Sequence, residues 1–277
     1  MSLIKYVLSG MAIGVANVIP GVSGGTIAFI LGIYEKLTES IGEFLTNKEK
    51  RKEYSIFLAQ IGVGVVIGIA LFAKLIEILY LSYEEPMNFF FLGLIIASIP
   101  FIFKSSKDMK LTKERAGSFC LGAIIILVFI FLGGNSETVD LAKDATIDLT
   151  FLYSMKLYFC GVLAAGAMVI PGVSGSFLLI LLGEYYNVIG FVNNREILPL
   201  GLIAIGAISG VFFVAKIIDI FMKKYHSGTI YFITGLVVAS VFEIWPGISF
   251  SGITWLLDIL AVSLGYVLAF SMSRIKK

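Results

Sequence analysis

The 277-residue sequence predicts an all-α polytopic membrane protein with two inverted repeats, each a re-entrant helical hairpin plus three transmembrane helices. Three observations predict this fold: an apolar composition, a motif that occurs twice, and an uneven distribution of positive charge among the loops. They divide the chain into a first repeat at 1–133, an external linker at 134–150 and a second repeat at 151–277. The two repeats would form one integrated transmembrane domain.

The composition indicates a membrane protein. Hydrophobic residues make up 58% of the chain and charged residues only 14%, whereas soluble domains carry about 25% charged residues. Apolar runs at 56–73, 87–103 and 119–132 have lengths that suit the bilayer core. The Lys and Arg residues lie in short clusters between such runs, so they indicate topology and not a nucleic-acid partner. Cys120 and Cys160 lie in apolar segments without metal-ligand spacing, and no metal or cofactor is predicted.

An internal duplication is visible in the motif VIPGVSGG at 18–25, which recurs as VIPGVSGS at 169–176. The similarity extends beyond the motif, over three pairs of segments: 10–34 with 161–185, 68–79 with 210–221, and 92–98 with 234–240. Repeats of this size in a membrane chain are typical of transporters.

Loop charge predicts the orientation of each element. The loops at 47–53 and 104–115 are rich in Lys and Arg and should be cytoplasmic, whereas the acidic stretches 83–86 and 135–148 should be external. Lys223, Lys224 and the basic C-terminus mark further cytoplasmic ends, so both termini are predicted to be cytoplasmic. The elements in order are a hairpin at 1–45, crossings near 55–82, 87–104 and 116–133, a hairpin at 152–192, and crossings near 198–222, 230–246 and 254–272. Each repeat has an odd number of crossings, which inverts the second repeat relative to the first.

The repeated motif predicts the tip of each hairpin. Residues 4–18 supply about 15 residues before the first tip, or roughly 22 Å of helix, which is shorter than the ~30 Å hydrocarbon core. A re-entrant hairpin therefore fits better than a full span, although a full span would preserve the same parity. Proline breaks a helix, glycine permits a turn and serine caps the next helix. In the two tips these residues are Pro20, Gly21 and Ser23, and Pro171, Gly172 and Ser174.

The helix starts after the tips are candidate anion sites. Backbone N–H groups at a helix N-terminus favour an anion, and glycines allow its close approach. These groups belong to Gly24, Gly25 and Thr26, and to Gly175, Ser176 and Phe177. The alternative is that the small residues only allow close helix packing. Two copies in opposed hairpins favour a ligand site.

Intramembrane charges form two matching pairs, Lys74 with Glu77 and Lys216 with Asp219. Such residues are costly in a membrane and are often functional. Each lysine is a candidate for attracting an anionic headgroup, and each acid is a candidate proton carrier for coupling. The alternative is a local i,i+3 ion pair whose lysine reaches the interface. Glu35 and Glu184 are further candidate coupling residues, with an interfacial position as the alternative.

Enzymatic activity is not predicted. The G-x-S-G pattern at a membrane-embedded helix start is similar to that of intramembrane serine proteases, which require a general base near the serine. His226 is the only histidine, and it cannot serve serines in two opposed hairpins. An intramembrane hydrolase that uses a G-x-S-G serine is therefore the second alternative, after a transporter or channel for a small soluble anion.

The segment NVIPGVSGGTIAFILGIYEKL at 17–37 strongly resembles the signature of the bacterial polyprenyl-phosphate transporter family, the PopT-like undecaprenyl-phosphate translocases. The resemblance covers essentially the whole chain. It implies a flippase in the bacterial cytoplasmic membrane that returns undecaprenyl phosphate from the outer to the inner leaflet, for peptidoglycan and other cell-envelope polymers. The implied partners are this lipid and membrane lipids, and a homo-oligomer is left open.

The family motif maps onto substrate-binding candidates in both tips. They are Asn17, Pro20, Gly21, Ser23, Gly24, Gly25 and Thr26 in the first copy, and Pro171, Gly172, Ser174, Gly175 and Ser176 in the second. The second copy departs from the pattern with Met168 in place of Asn17 and Ser176 in place of Gly25. These departures leave open whether both tips bind phosphate equally.

Overall fold

The computed structural model describes residues 2–18, 23–105, 108–133, 149–245, 247 and 254–274. Pro20 and Gly21 of the first tip, most of the 134–150 linker and the side chain of Glu77 lie outside the described residues. Throughout the described part of the chain, regular secondary structure is helical. This agrees with the all-α class that the sequence predicts.

Twelve helices are described, six in each half. The first six are α1 (Ser2–Asn17), α2 (Gly24–Ile30), α3 (Tyr34–Gly42), α4 (Arg51–Ser82), α5 (Glu84–Ser105) and α6 (Lys113–Gly133). The second six are α7 (Phe151–Val169), α8 (Gly175–Leu181), α9 (Tyr185–Asn193), α10 (Ile197–Lys224), α11 (His226–Ile244) and α12 (Thr254–Arg274). The halves therefore share one order of long and short helices.

Each returning limb of the predicted hairpins is broken into two short helices, which the sequence analysis did not anticipate. Gly32 and Gly183 end α2 and α8 with φ of +64° and +71°, a left-handed conformation that favours glycine. The next N–H donates back across the last turn, from Ile33 to Ala28 O at 3.0 Å and from Glu184 to Leu179 O at 2.9 Å. This is the Schellman pattern of helix termination. In the second half, it leaves α8 and α9 bent by 110°.

The two halves also match in local backbone geometry. The N-cap of α2, Ser23, has φ −92° and ψ 134°, and the N-cap of α8, Ser174, has φ −93° and ψ 132°. The C-caps of α4 and α10 are tyrosines in an unusual conformation, with φ −143° and ψ 48° at Tyr83 and φ −133° and ψ 50° at Tyr225. The sequence repeat is therefore also a repeat of local structure.

The length and hydropathy of the helices are those of a multi-pass membrane protein. Five are long and apolar enough to cross a bilayer, or up to six if the bent α8–α9 pair is one span. The five are Arg51–Ser82, Lys113–Leu132, Phe151–Val169, Ile197–Lys224 and His226–Ile244. The predicted crossings at 87–104 and 254–272 correspond to α5 and α12, which have 22 and 21 residues. Helix α7 of the second hairpin, with 19 residues, is one of the five helices that are long enough to cross.

Helices pack in four close pairs with glycines at the contacts. Helix α1 packs against α4 and α7 against α10, each within its own half, whereas α5 packs against α12 and α6 against α11 across the halves. In the α1–α4 pair, a Cβ on Gly64 would overlap the Val7 carbonyl oxygen, and a Cβ on Gly10 would overlap that of Ile61. Such contacts let membrane helices approach closely.

Gly64→Ala should therefore destabilise the protein. The added methyl group would force α1 and α4 apart at backbone atoms, and overpacking of this kind costs about 1 to 3 kcal/mol. Gly62→Ala on the same helix is the matched control, since no atom lies within 4 Å of its added Cβ. Thermal unfolding in detergent should show a lower midpoint for Gly64→Ala only. Equal midpoints for the two variants would contradict the packing argument.

The short helices of the two halves differ in their burial. All seven residues of α2 are buried, but only Gly175 of α8 is buried. Helix α3 packs along α10 of the other half, and Gly42 lies so close that an added Cβ would come within 2.8 Å of the Lys216 Cα. The first returning limb is therefore held inside the protein and the second is not.

Candidate functional site

The two tips contact each other in the centre of the protein. The Gly172 N–H of the second tip donates to Thr26 Oγ1 at 2.8 Å in a buried hydrogen bond. Tyr34 OH donates to the Val169 carbonyl at 3.0 Å, and the Ser23 hydroxyl lies 3.5 Å from the Met168 carbonyl. The structure thus brings together residues that are 135 to 146 positions apart in the sequence.

The start of α2 satisfies its own backbone donors. Ser23 is the N-cap, as predicted, and its Oγ accepts from the Gly25 N–H at 3.2 Å. The Gly24 N–H donates to Asn17 Oδ1 at 2.9 Å, and both glycines are buried. The expectation that these two amides are exposed for a ligand is therefore wrong, because internal side chains already occupy them. Asn17 acts in this arrangement as a second capping residue.

The start of α8 is built differently. Ser174 occupies the predicted N-cap position, but its Oγ lies 2.7 Å from Ser176 Oγ and makes no capping bond to the backbone. Met168 packs against Gly175, where a Cβ would come within 2.8 Å of the Met168 Cγ. In the first tip, the equivalent place beside Gly24 belongs to Asn17. The two departures from the family motif therefore replace a polar cap with an apolar contact and a pair of hydroxyls.

A small pocket lies beside the first tip. Three hydroxyl side chains and five apolar side chains line it. The hydroxyls belong to Ser23, Thr26 and Ser240, and the apolar residues are Ile27, Ile30, Phe91, Ile95 and Ile244. Hydroxyl groups can donate to anionic oxygens, and the apolar walls suit a hydrocarbon.

Ser240 is a pocket residue that sequence reasoning missed. Its signal was present, because Ser240 and Ser98 are matched positions in the repeated segments 92–98 and 234–240. Both serines are buried and donate to the carbonyl three residues earlier, Ser240 to Val237 at 2.9 Å and Ser98 to Ile95 at 2.7 Å. A polar residue that recurs at matched positions of two buried, apolar segments is therefore a sequence signal for a pocket residue.

The predicted lysines have different surroundings. Lys216 Nζ lies 3.7 Å from Glu43 and 4.0 Å from Asp219, so the local i,i+3 pair is present. Lys223 joins the same group at 2.6 Å from Glu43 and 3.0 Å from Asp219. We call these four residues the α10 ion network. Lys74, the counterpart of Lys216, is exposed.

The remaining coupling candidates lie apart from the pocket lining. The Glu35 carboxylate lies 3.6 Å from His226 Nε2 at the start of α11. Glu184 is almost fully buried and forms an ion pair with Lys156. It also accepts hydrogen bonds from Tyr153 at 2.8 Å and Asn187 at 2.9 Å. In the described part of the chain, no group of three His, Cys, Asp or Glu residues could hold a metal ion.

The Glu43 carboxyl should contribute stability that depends on pH. The hydrogen bond from Lys223 lowers the pKa of Glu43 from 4.5 to about 2. A carboxyl with a lowered folded-state pKa stabilises the fold above its unfolded pKa, and this contribution is lost as the pH falls through the folded pKa. The unfolding midpoint of wild type should therefore exceed that of Glu43→Gln at pH 7, with a difference that shrinks from pH 4.5 toward 2. A constant difference over this range would contradict the ion pair.

A family comparison gives a match over most of the chain. Residues 13–256 match the family model described as undecaprenyl phosphate translocase-like, and this range includes both tips and the pocket. The chain belongs to the undecaprenyl phosphate translocase-like family. The resemblance in the 17–37 segment is therefore confirmed.

Two polyprenyl-phosphate transporters are similar to this translocase-like chain over most of its length. It is 32% identical to the polyprenyl-phosphate transporter of Vibrio cholerae over 257 residues, which cover 89% of this chain and 79% of the relative. It is 30% identical to the polyprenyl-phosphate transporter of Staphylococcus aureus over 275 residues, which cover 97% of this chain and 95% of the relative. No solved structure matches the chain.

Proposed function

We propose that this protein transports a polyprenyl phosphate across the bacterial cytoplasmic membrane, returning undecaprenyl phosphate from the outer to the inner leaflet for cell-envelope synthesis. The observation that carries the proposal is the pocket at the meeting point of the tips, in a chain of the translocase-like family. Its hydroxyls suit a phosphate headgroup, and its isoleucines and Phe91 suit the first isoprene units. The rest of the prenyl tail stays in lipid, so that only the headgroup passes through the protein.

The hydrogen-bonding capacity of the pocket supports an oxyanion ligand. Thr26 Oγ1 accepts from Gly172 N–H, which leaves the Thr26 hydroxyl hydrogen free to donate to a phosphate oxygen. Ser23 and Ser240 can turn their hydroxyl hydrogens from carbonyl acceptors to the ligand at the cost of one neutral hydrogen bond each. Lys74 and Lys216 stay candidates for attracting the anionic headgroup, although neither lines the pocket. The first tip is therefore the principal headgroup site in this proposal.

The re-entrant, inverted arrangement belongs to the same proposal. Helices α2 and α8 have seven residues each, or about 10 Å, which is far less than the ~30 Å hydrocarbon core. A limb that turns back after such a short helix suits a hairpin entering from one side. Two matched halves around a central pocket support alternating access by movement of one half against the other.

A leaflet-exchange assay tests the proposal. Proteoliposomes with a fluorescent polyprenyl phosphate should show protein-dependent exchange between leaflets, measured by the fraction quenched by an impermeant reductant. Exchange should slow at least about tenfold in Ser23→Ala with Ser240→Ala, since two headgroup hydrogen bonds of about 1 kcal/mol each are lost. Ser209→Ala is the matched control, because Ser209 is a partly exposed serine that is bonded to its own helix.

Competition separates the lipid substrate from a small soluble anion. Unlabelled polyprenyl phosphate should inhibit exchange, whereas inorganic phosphate at the same headgroup concentration should not. Equal inhibition by both would favour the soluble-anion alternative. Exchange that is unchanged in the double serine variant would remove these hydroxyls from the site.

Thiol labelling tests the orientation. In a variant without Cys120 and Cys160, a cysteine at the exposed Leu111 should react with an impermeant reagent only from the cytoplasmic side. Labelling from outside would reverse the proposed topology, and with it the assignment of the two leaflets.

A further inference from the structure

The two halves of this protein differ at one interface that the repeat would make equivalent. Helix α3 packs closely along α10, but its repeat counterpart α9 is not packed in the same way along α4. The short limb α2–α3 is buried, with Tyr34 only 2% exposed, whereas the matching limb α8–α9 is largely accessible and Tyr185 is only partly buried. The structure is therefore closed at the α3–α10 face and open at the α9–α4 face.

The residues of the α10 ion network follow the same asymmetry. Glu43 binds both Lys216 and Lys223, which lie about two turns apart on α10, and Asp219 balances the second positive charge. In the other half, the repeat alignment places Asn194 at the position of Glu43 and Leu81 at that of Lys223. Within the α10 ion network, only Lys216 and Asp219 have charged counterparts in the other half, Lys74 and Glu77. The two charges that bridge α3 to α10 exist in one half alone.

We propose that Glu43 with Lys223 is an ionic latch that holds the α3–α10 face shut and sets the resting orientation of the protein. The opposite closed state, with α9 against α4, has no equivalent pair of charges and is therefore the less populated one. This inference rests on the proposed alternating access. In the proposed topology the latch is cytoplasmic, so the resting protein is open toward the outer leaflet, where its substrate loads.

Distances between spin labels test the latch without any substrate, so the result does not depend on which lipid or anion is carried. In a variant lacking both native cysteines, labels at Leu45 and Phe213 report the α3–α10 face, and both side chains are exposed. Labels at their repeat counterparts, Glu196 and Leu71, report the α9–α4 face. With the latch intact, the first distance distribution should be short and narrow and the second long.

Glu43→Gln should raise the ratio of open to closed populations at the α3–α10 face about tenfold, which corresponds to one charge-assisted hydrogen bond. The Glu196–Leu71 distribution should gain a short component at the same time. Lys223→Met, which removes the other partner of the pair, should have the same effect. Agreement between the two variants would distinguish loss of the latch from a folding defect in one of them. Glu53→Gln is the matched control, because it breaks the 3.1 Å Lys36–Glu53 pair that joins α3 to α4.

Asn194→Glu combined with Leu81→Lys should transplant the latch. This double variant should populate the state with a short Glu196–Leu71 distance without loss of fold. Unchanged distributions at both faces in Glu43→Gln and Lys223→Met would overturn the latch. Changed distributions together with absent polyprenyl-phosphate exchange would keep the latch and overturn the proposed substrate.

Discussion

Thr26→Val should uncouple the two tips and slow transport about tenfold or more. Valine has nearly the shape of threonine, but it removes the only described acceptor of the buried Gly172 N–H. An unsatisfied buried donor costs about 1 to 3 kcal/mol, so the unfolding midpoint should also fall. The same change removes one of the three hydroxyls of the pocket. Leaflet exchange in proteoliposomes and thermal unfolding in detergent measure the two effects.

Thr38→Val is the matched control for this prediction. Thr38 is fully buried in the same half, but its hydroxyl donates only to carbonyls of its own helix, those of Tyr34 and Glu35. Its loss leaves no backbone donor without a partner and should change exchange little. Thr26→Ser keeps the hydroxyl and should restore most of the activity. If Thr26→Val transports at the wild-type rate, the Thr26–Gly172 bond does not organise the site.

Lys156→Met should produce the largest loss of stability among the charged residues. It would leave the buried Glu184 carboxylate without its cation, and loss of one partner of a buried pair costs 3 to 5 kcal/mol. The Tyr153 and Asn187 donors remain, and Lys156 is half exposed, so we expect the lower end, about 3 kcal/mol. The unfolding midpoint should fall by roughly 5 to 10 °C for a chain of this size.

The sequence repeat suggests both a rescue variant and a control variant for Lys156→Met. Ile33 occupies the position of Glu184 in the first half, so Glu184→Ile combined with Lys156→Met replaces the pair with the apolar solution already used there. The double variant should recover most of the lost stability. Lys5→Met, at the exposed counterpart of Lys156, should have little effect. A double variant as unstable as Lys156→Met would show that the Glu184 position requires a polar residue.

Ile33 and Glu184 occupy matched positions but differ in chemistry, and this contrast illustrates the limits of prediction from the sequence. The duplicated motif, the serine N-cap positions and the long helices were predictable, because each depends on residues that are close together in the chain. The break after α2 and α8 carried a local signal, the Leu-Gly pair before the tyrosines, but its consequence was missed. The hydrogen bonds that occupy the Gly24 and Gly25 amides were not predicted, since the Asn17 side chain that accepts from Gly24 lies seven residues earlier in the chain.

The composition by itself determined the helical membrane class, and the resemblance carried by the 17–37 segment identified the family of this protein. These features are encoded by residue type and local order, which govern burial in lipid and the start and end of helices. The tertiary structure alone decided that Thr26 meets Gly172, that Ser240 lines the pocket and that Glu43 reaches two lysines of α10. The physical reason is that these residues are far apart in the chain and meet only when the helices pack, so local sequence does not specify their contacts.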